Sequence, residues 1–236
     1  MIRNEPGGYI PIPDNLRAFL MCGVGFFFKV PIVLLFCVMV DPPPARAHPH
    51  AWIDLRSAVV LNESGHVIAI EQQWFFDPLY TVFATDDLTL TAGTQKKALT
   101  ALARINLQRL HTHGYFTEVR MEGAKIDLGR VSEFESDLRE GRLWMRFVVP
   151  LVVPIDPTRH KVSFAVFDPT YYVEILHLRD DIVSFRGSDS GDCYGQIIPP
   201  KPTTEAILLA RAMDRDATPD ATLGKVFAEQ VEITCY

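Results

Sequence analysis

The chain carries none of the short patterns that announce common chemistries: no Gly-x-Ser-x-Gly elbow, no phosphate-cradling glycine loop, no His-Glu-x-x-His pair and no Cys-x-x-Cys. A serine hydrolase of the elbow type, a nucleotide-binding enzyme, a zincin and a zinc ribbon are therefore not signalled. Nor can a set of His, Ser and Asp be placed together from spacing alone. Catalytic groups are scattered in sequence, so this puts binding ahead of catalysis without excluding an enzyme. Basic clusters are missing too: 23 Lys and Arg stand against 29 Asp and Glu, a net charge of −6. That balance speaks against nucleic acid as a partner and suits cations. There is no internal repeat and no low-complexity segment. Cysteine is scarce, with four in 236 residues.

What is present begins with an export signal. Arg3, Arg17 and Lys29 precede the apolar stretch 30–40, Asp41-Pro42-Pro43-Pro44 ends any helix, and Ala45-Arg46-Ala47 offers the small residues that a signal peptidase accepts. Cleavage after Ala47 leaves residues 48–236 as a periplasmic domain, with a candidate sub-boundary in the proline-rich linker 199–202. The rival reading is a membrane anchor over residues 18–40, since a span needs roughly 20 apolar residues. Lys29 in its middle opposes that, because a central charge costs about 2.5 to 3.5 kcal/mol on insertion scales. Removing 1–47 takes away Arg3, Arg17, Lys29 and Arg46 against Glu5, Asp14 and Asp41, which moves the net charge from −6 to −7. No later run is long and apolar enough to span a membrane. Cys22 and Cys37 leave with the signal, and Cys193 and Cys235 are expected to pair in the oxidising compartment and fasten the last strand.

The processed chain would start His48-Pro49-His50. Two imidazoles beside a free amino group are borderline nitrogen donors suited to zinc, nickel, cobalt or copper rather than calcium or magnesium. Pro49 excludes the square-planar copper mode that uses the amides of residues two and three, because proline has no amide hydrogen. A copper brace formed by the His48 amino group and ring stays open, and with it an oxidative enzyme.

Residues 52–61 and 66–76 read as a β-hairpin across the turn Asn62-Glu63-Ser64-Gly65. With those four residues as the loop, His50 falls opposite Asp77. The alternation of strand side chains puts His48, His50, Trp52, Asp54 and Arg56 on one face with Asp77, Phe75, Gln73 and Glu71. Ile53, Leu55, Val59 and Leu61 share the other with Phe76, Trp74, Ile70 and Ile68, and that face is the expected core. His48, His50 and Asp77 are thus the candidate metal ligands. Asp54, further along the same face, and Asp168, in an expected exposed turn, are additional candidates.

Residues 95–113 carry apolar side chains at helical spacing and stop at Gly114. His111 and His113 at that end are expected to favour the helix dipole. Residues 143–153, the most apolar run, read as a central strand, with 161–167 as its expected partner. Short helices are expected at 204–213 and 221–230, and a closing strand at 231–235. About ten strands and three helices, with strands neighbouring strands, give an α+β class of mainly antiparallel sheets.

A family resemblance rests on the order of several segments: His48-Pro49-His50-Ala51-Trp52-Ile53-Asp54, Trp74-Phe75-Phe76-Asp77, Gly114-Tyr115-Phe116-Thr117, Phe167-Asp168-Pro169-Thr170-Tyr171-Tyr172, Cys193, and 227–235. In these the chain resembles a bacterial family of unknown function labelled as the periplasmic component of an uncharacterised ABC-type transport system. The resemblance implies metal handling beside an integral-membrane permease of the nickel, cobalt or zinc type. Its histidines and aspartate land on His48, His50 and Asp77. The expectation is an exported accessory protein binding a divalent transition metal, zinc foremost. The alternatives are the copper enzyme and a secreted structural or assembly domain without metal.

Overall fold

Strand β1 (Ala51–Leu61) buries alternate residues: Ile53, Leu55, Val59 and Leu61 are all within 3 % exposure. That period of two is what the sequence carries, and it sets which side of the sheet becomes core. The computed structural model describes residues 49–178, 182–187, 192–212 and 222–236. The expected signal segment, its cleavage site after Ala47, the alternative anchor 18–40 and His48 lie outside the described residues.

After β1 come β2 (Val67–Phe76), helix α1 (Pro78–Thr85), helix α2 (Gln95–His111), β3 (Thr117–Met121) and β4 (Ala124–Ile126). Then follow β5 (Phe134–Arg139), β6 (Arg142–Ile155), β7 (Val162–Val166), β8 (Val173–His177), β9 (Ser184–Arg186) and β10 (Cys193–Ile198). Helices α3 (Thr204–Ala212) and α4 (Leu223–Val226) precede β11 (Gln230–Cys235). One sheet runs β5-β6-β2-β1-β8, with β9 also on β1, and the other runs β10-β11-β7-β3-β4. The pairing is antiparallel except where β8 and β9 lie parallel to β1. The α+β class with dominant strands is as the sequence suggests.

A single core joins the two sheets, and α2 adds Leu99, Ala103 and Leu107 to it. Each of the two leucines removed from water contributes about 1.5 to 3 kcal/mol, and the smaller Ala103 less. Trp74 sits at the centre, edge-on to Phe76 and Phe147 and stacked near Phe116. Its indole N–H donates to Gln72 Oε1 at 2.9 Å, and Gln72 Nε2 donates to Thr117 Oγ1 of the facing sheet at 2.6 Å. These polar atoms are buried and bonded, which is the condition for polar atoms to sit there at all.

Four expectations change. The hairpin closes one residue later than four loop residues would require, because Asn62 Oδ1 accepts from the amides of Ser64 and His66. The Asn62 amide then donates to the His66 carbonyl at 3.0 Å. Ile68 adds a bulge between the Leu61–Val67 and Val60–Ala69 pairs. Two single-residue shifts preserve the faces but bring Trp52, not His50, opposite Asp77, where the two backbones bond. Residues 161–167 do not pair with β6, since β2 and β5 occupy both its edges; β7 crosses to the other sheet between β11 and β3. Asp77 and Pro78 also open a helix that is not among the three expected. They start α1, with Asp77 as N-cap and Pro78 in the first turn. Residues 221–230 give only the one-turn α4 before β11 begins at Gln230.

Cys193 and Cys235 are bonded, and they face each other across β10 and β11 with their Cα atoms 4.1 Å apart. The bridge fastens the last strand as expected.

Candidate functional site

The start of β1 gathers three segments. The His50 amide donates to the Tyr172 carbonyl at 2.9 Å, and the two rings lie 4.7 Å apart. Two residues on, the Trp52 amide donates to Asp77 Oδ2 at 3.0 Å and its carbonyl accepts from the Asp77 amide at 2.9 Å. Asp77 Oδ1 accepts the Tyr80 amide at 2.8 Å. Both carboxylate oxygens of Asp77 therefore serve backbone donors, which anchors the group, and each keeps lone-pair capacity for a further partner.

The two additional candidates are more fully engaged. Asp54 Oδ2 accepts from Arg142 Nη1 at 2.6 Å, while the same guanidinium caps the carbonyls of Phe75 and Phe76 at 2.6 and 2.7 Å. Asp168 is buried rather than an exposed turn residue. It accepts the amides of Thr170 and Val173 at 2.9 and 3.1 Å and the Thr170 hydroxyl at 2.9 Å. Its role is to knot the loop that carries Tyr172 to His50. Thus the structure brings His50, Asp77 and the Asp168 loop to one end of the sheet. Asp54 stays with Arg142, and the cysteines sit in the second sheet. Among the described residues no group of three or more His, Cys, Asp and Glu side chains is arranged to hold a metal ion.

Tyr80, the third residue of α1, lies among these groups. Burial pushes its phenol above the ordinary value, the Arg109 guanidinium pulls it down, and Asp77 and Tyr172 push it up again. It remains a protonated donor at neutral pH.

One arrangement escapes sequence reasoning. The Ser57 hydroxyl lies 2.8 Å from His177 Nε2, and Glu229 Oε2 lies 2.8 Å from His177 Nδ1 and accepts the His177 amide at 2.7 Å. A carboxylate that fixes the ring and a hydroxyl at its other nitrogen are the order used to activate a nucleophile. Ser57 is 4 % exposed and the His177 side chain 5 %, on the core side of β1. The trio ties β1, β8 and the entry to β11, and we read it as a buried tie between the sheets. Residues 57, 177 and 229 share no local pattern; the parallel β1–β8 pairing sets His177 beside β1, and the packing of the second sheet brings Glu229 to it.

Residues 33–235 match the family described as Protein of unknown function (DUF1007). The chain belongs to that family. An uncharacterized protein of Haemophilus influenzae is 25 % identical over 191 residues, covering 80 % of this chain and 91 % of its own length. An uncharacterized 15.5 kDa protein in the trpE 3' region of Spirochaeta aurantia is 25 % identical over 95 residues, covering 40 % of this chain and 67 % of its own. No solved structure matches the chain.

Proposed function

We propose that the chain is an exported, periplasmic accessory protein that binds a divalent transition metal, zinc foremost with nickel or cobalt as alternatives, and exchanges it with an integral-membrane permease. The observation that carries this reading is the anchoring of His50 and Asp77 at one end of β1, each held by backbone hydrogen bonds beside Trp52 and Tyr172. Processing after Ala47 would make His48, two residues before His50, the chain start, and its ring and free amino group are the further nitrogen donors in this reading. A structural disulfide fits an oxidising compartment. The resemblance to transport-linked periplasmic proteins adds the permease. Helix α1, which Asp77 caps, leaves Leu79, Val82 and Phe83 exposed. An apolar surface next to the exchange site suits contact with a membrane protein.

The test is calorimetry with zinc, nickel and cobalt on the processed protein and on His48→Ala and His50→Ala. The reading expects stoichiometric binding that both variants weaken by about tenfold or more, since each removes one ligand. Unchanged affinity in both variants removes the site.

A further inference from the structure

Beneath the start of β1 lies a cavity of about 240 Å³ between α2 and the first sheet. Its walls are apolar and come from both layers, with Ile53, Phe76, Phe116 and Met145 among them. Three polar side chains also line it: Asn106 and Arg109, three apart on one face of α2, and Tyr80 of α1. We propose that this cavity binds a small organic monocarboxylate, its branched or aromatic body among the apolar walls and its carboxylate held by Arg109, Tyr80 and Asn106.

Charge selects the anion. No acidic side chain is among the residues that line the cavity. Among the described residues no carboxylate pairs with the Arg109 guanidinium, which is exposed at the edge. The cationic group therefore dominates this corner. Arginine offers a planar fork matched to a carboxylate, and a tyrosine hydroxyl and an amide add donors to the same oxygens. The volume restricts the body of the ligand. Pockets for drug-sized molecules run to about 300–1,000 Å³, so a cavity of about 240 Å³ takes a smaller acid. This inference does not rest on the metal reading.

The experiment titrates the metal-free protein with phenylacetate and 4-methylpentanoate, and with phenethylamine and 2-phenylethanol as charge-reversed and neutral counterparts. Heat is measured by calorimetry, and location by the NMR signal of the Met145 methyl group, which is buried against the cavity. The expected result is that an acid binds and shifts the Met145 signal while the amine and the alcohol do not. Arg109→Gln, at an exposed position, is expected to weaken acid binding about tenfold or more, the effect of losing a charge-assisted pair. Absence of acid binding at millimolar concentration overturns the proposal. So does equal binding of the amine or alcohol, or unchanged acid affinity in Arg109→Gln.

Discussion

Asp77 joins two elements through one side chain. As the N-cap of α1 it accepts the Tyr80 amide, and across the sheet end it accepts the Trp52 amide. Asp77→Ala is expected to cost about 1 to 2 kcal/mol, the usual loss for a cap. Asparagine can still cap, but it keeps one acceptor oxygen for the two amides that Asp77 serves, so Asp77→Asn should lose part of that stability while removing the charge a metal would need. Thermal denaturation alongside zinc titration separates the two effects. Glu118 makes a second prediction. Burial pushes its carboxyl up, but hydrogen bonds from Arg120 at 2.8 Å and Lys225 at 2.7 Å outweigh it and hold the value below the ordinary 4.5. A carboxylate lowered in the folded state stabilises fully above its unfolded value, and that contribution fades as pH falls through the folded one. Acid denaturation below about pH 4.5 should therefore be shallower in Glu118→Gln than in wild type.

At the scale of elements, the faces of β1 and β2 are legible because apolar residues alternate along them. Their register is not, since it depends on Asn62 capping two amides and on the bulge at Ile68. Helix α1 was readable in principle from Asp77-Pro78, an N-cap followed by a proline suited to the first turn. It escapes because its outer face carries Leu79, Val82 and Phe83, which blur the amphipathic period. The position of β7 depends on which edges of β6 are taken, and no local pattern carries that. The Ser57–His177–Glu229 trio depends in the same way on long-range pairing. Breaking it by His177→Ala leaves a buried hydroxyl and carboxylate short of partners, at a cost of about 1 to 3 kcal/mol measurable by urea denaturation. A fluorophosphonate probe should leave buried Ser57 unlabelled; stoichiometric labelling would turn the tie into a catalytic centre.

For the whole molecule, one core joins two sheets, and the last strand is held in the second by both β7 and the disulfide. In the chain-entropy model, closing a segment with a sequence separation of 42 stabilises by roughly 4 kcal/mol. Cys193→Ser with Cys235→Ser should lower the urea midpoint accordingly, and a shift near zero would mean that strand pairing alone suffices. The pairing of these cysteines was legible from the sequence because only two lie beyond residue 47. The proposed metal ligands are residue types that the sequence offers, and their mutual geometry is not legible there because it hangs on the hairpin register. The most direct measurement is X-ray absorption at the zinc edge on the processed protein loaded with one equivalent. The account predicts a first shell of nitrogen and oxygen donors with imidazole scattering that diminishes in His50→Ala. A shell without imidazole, or one that His50→Ala leaves unchanged, would contradict it.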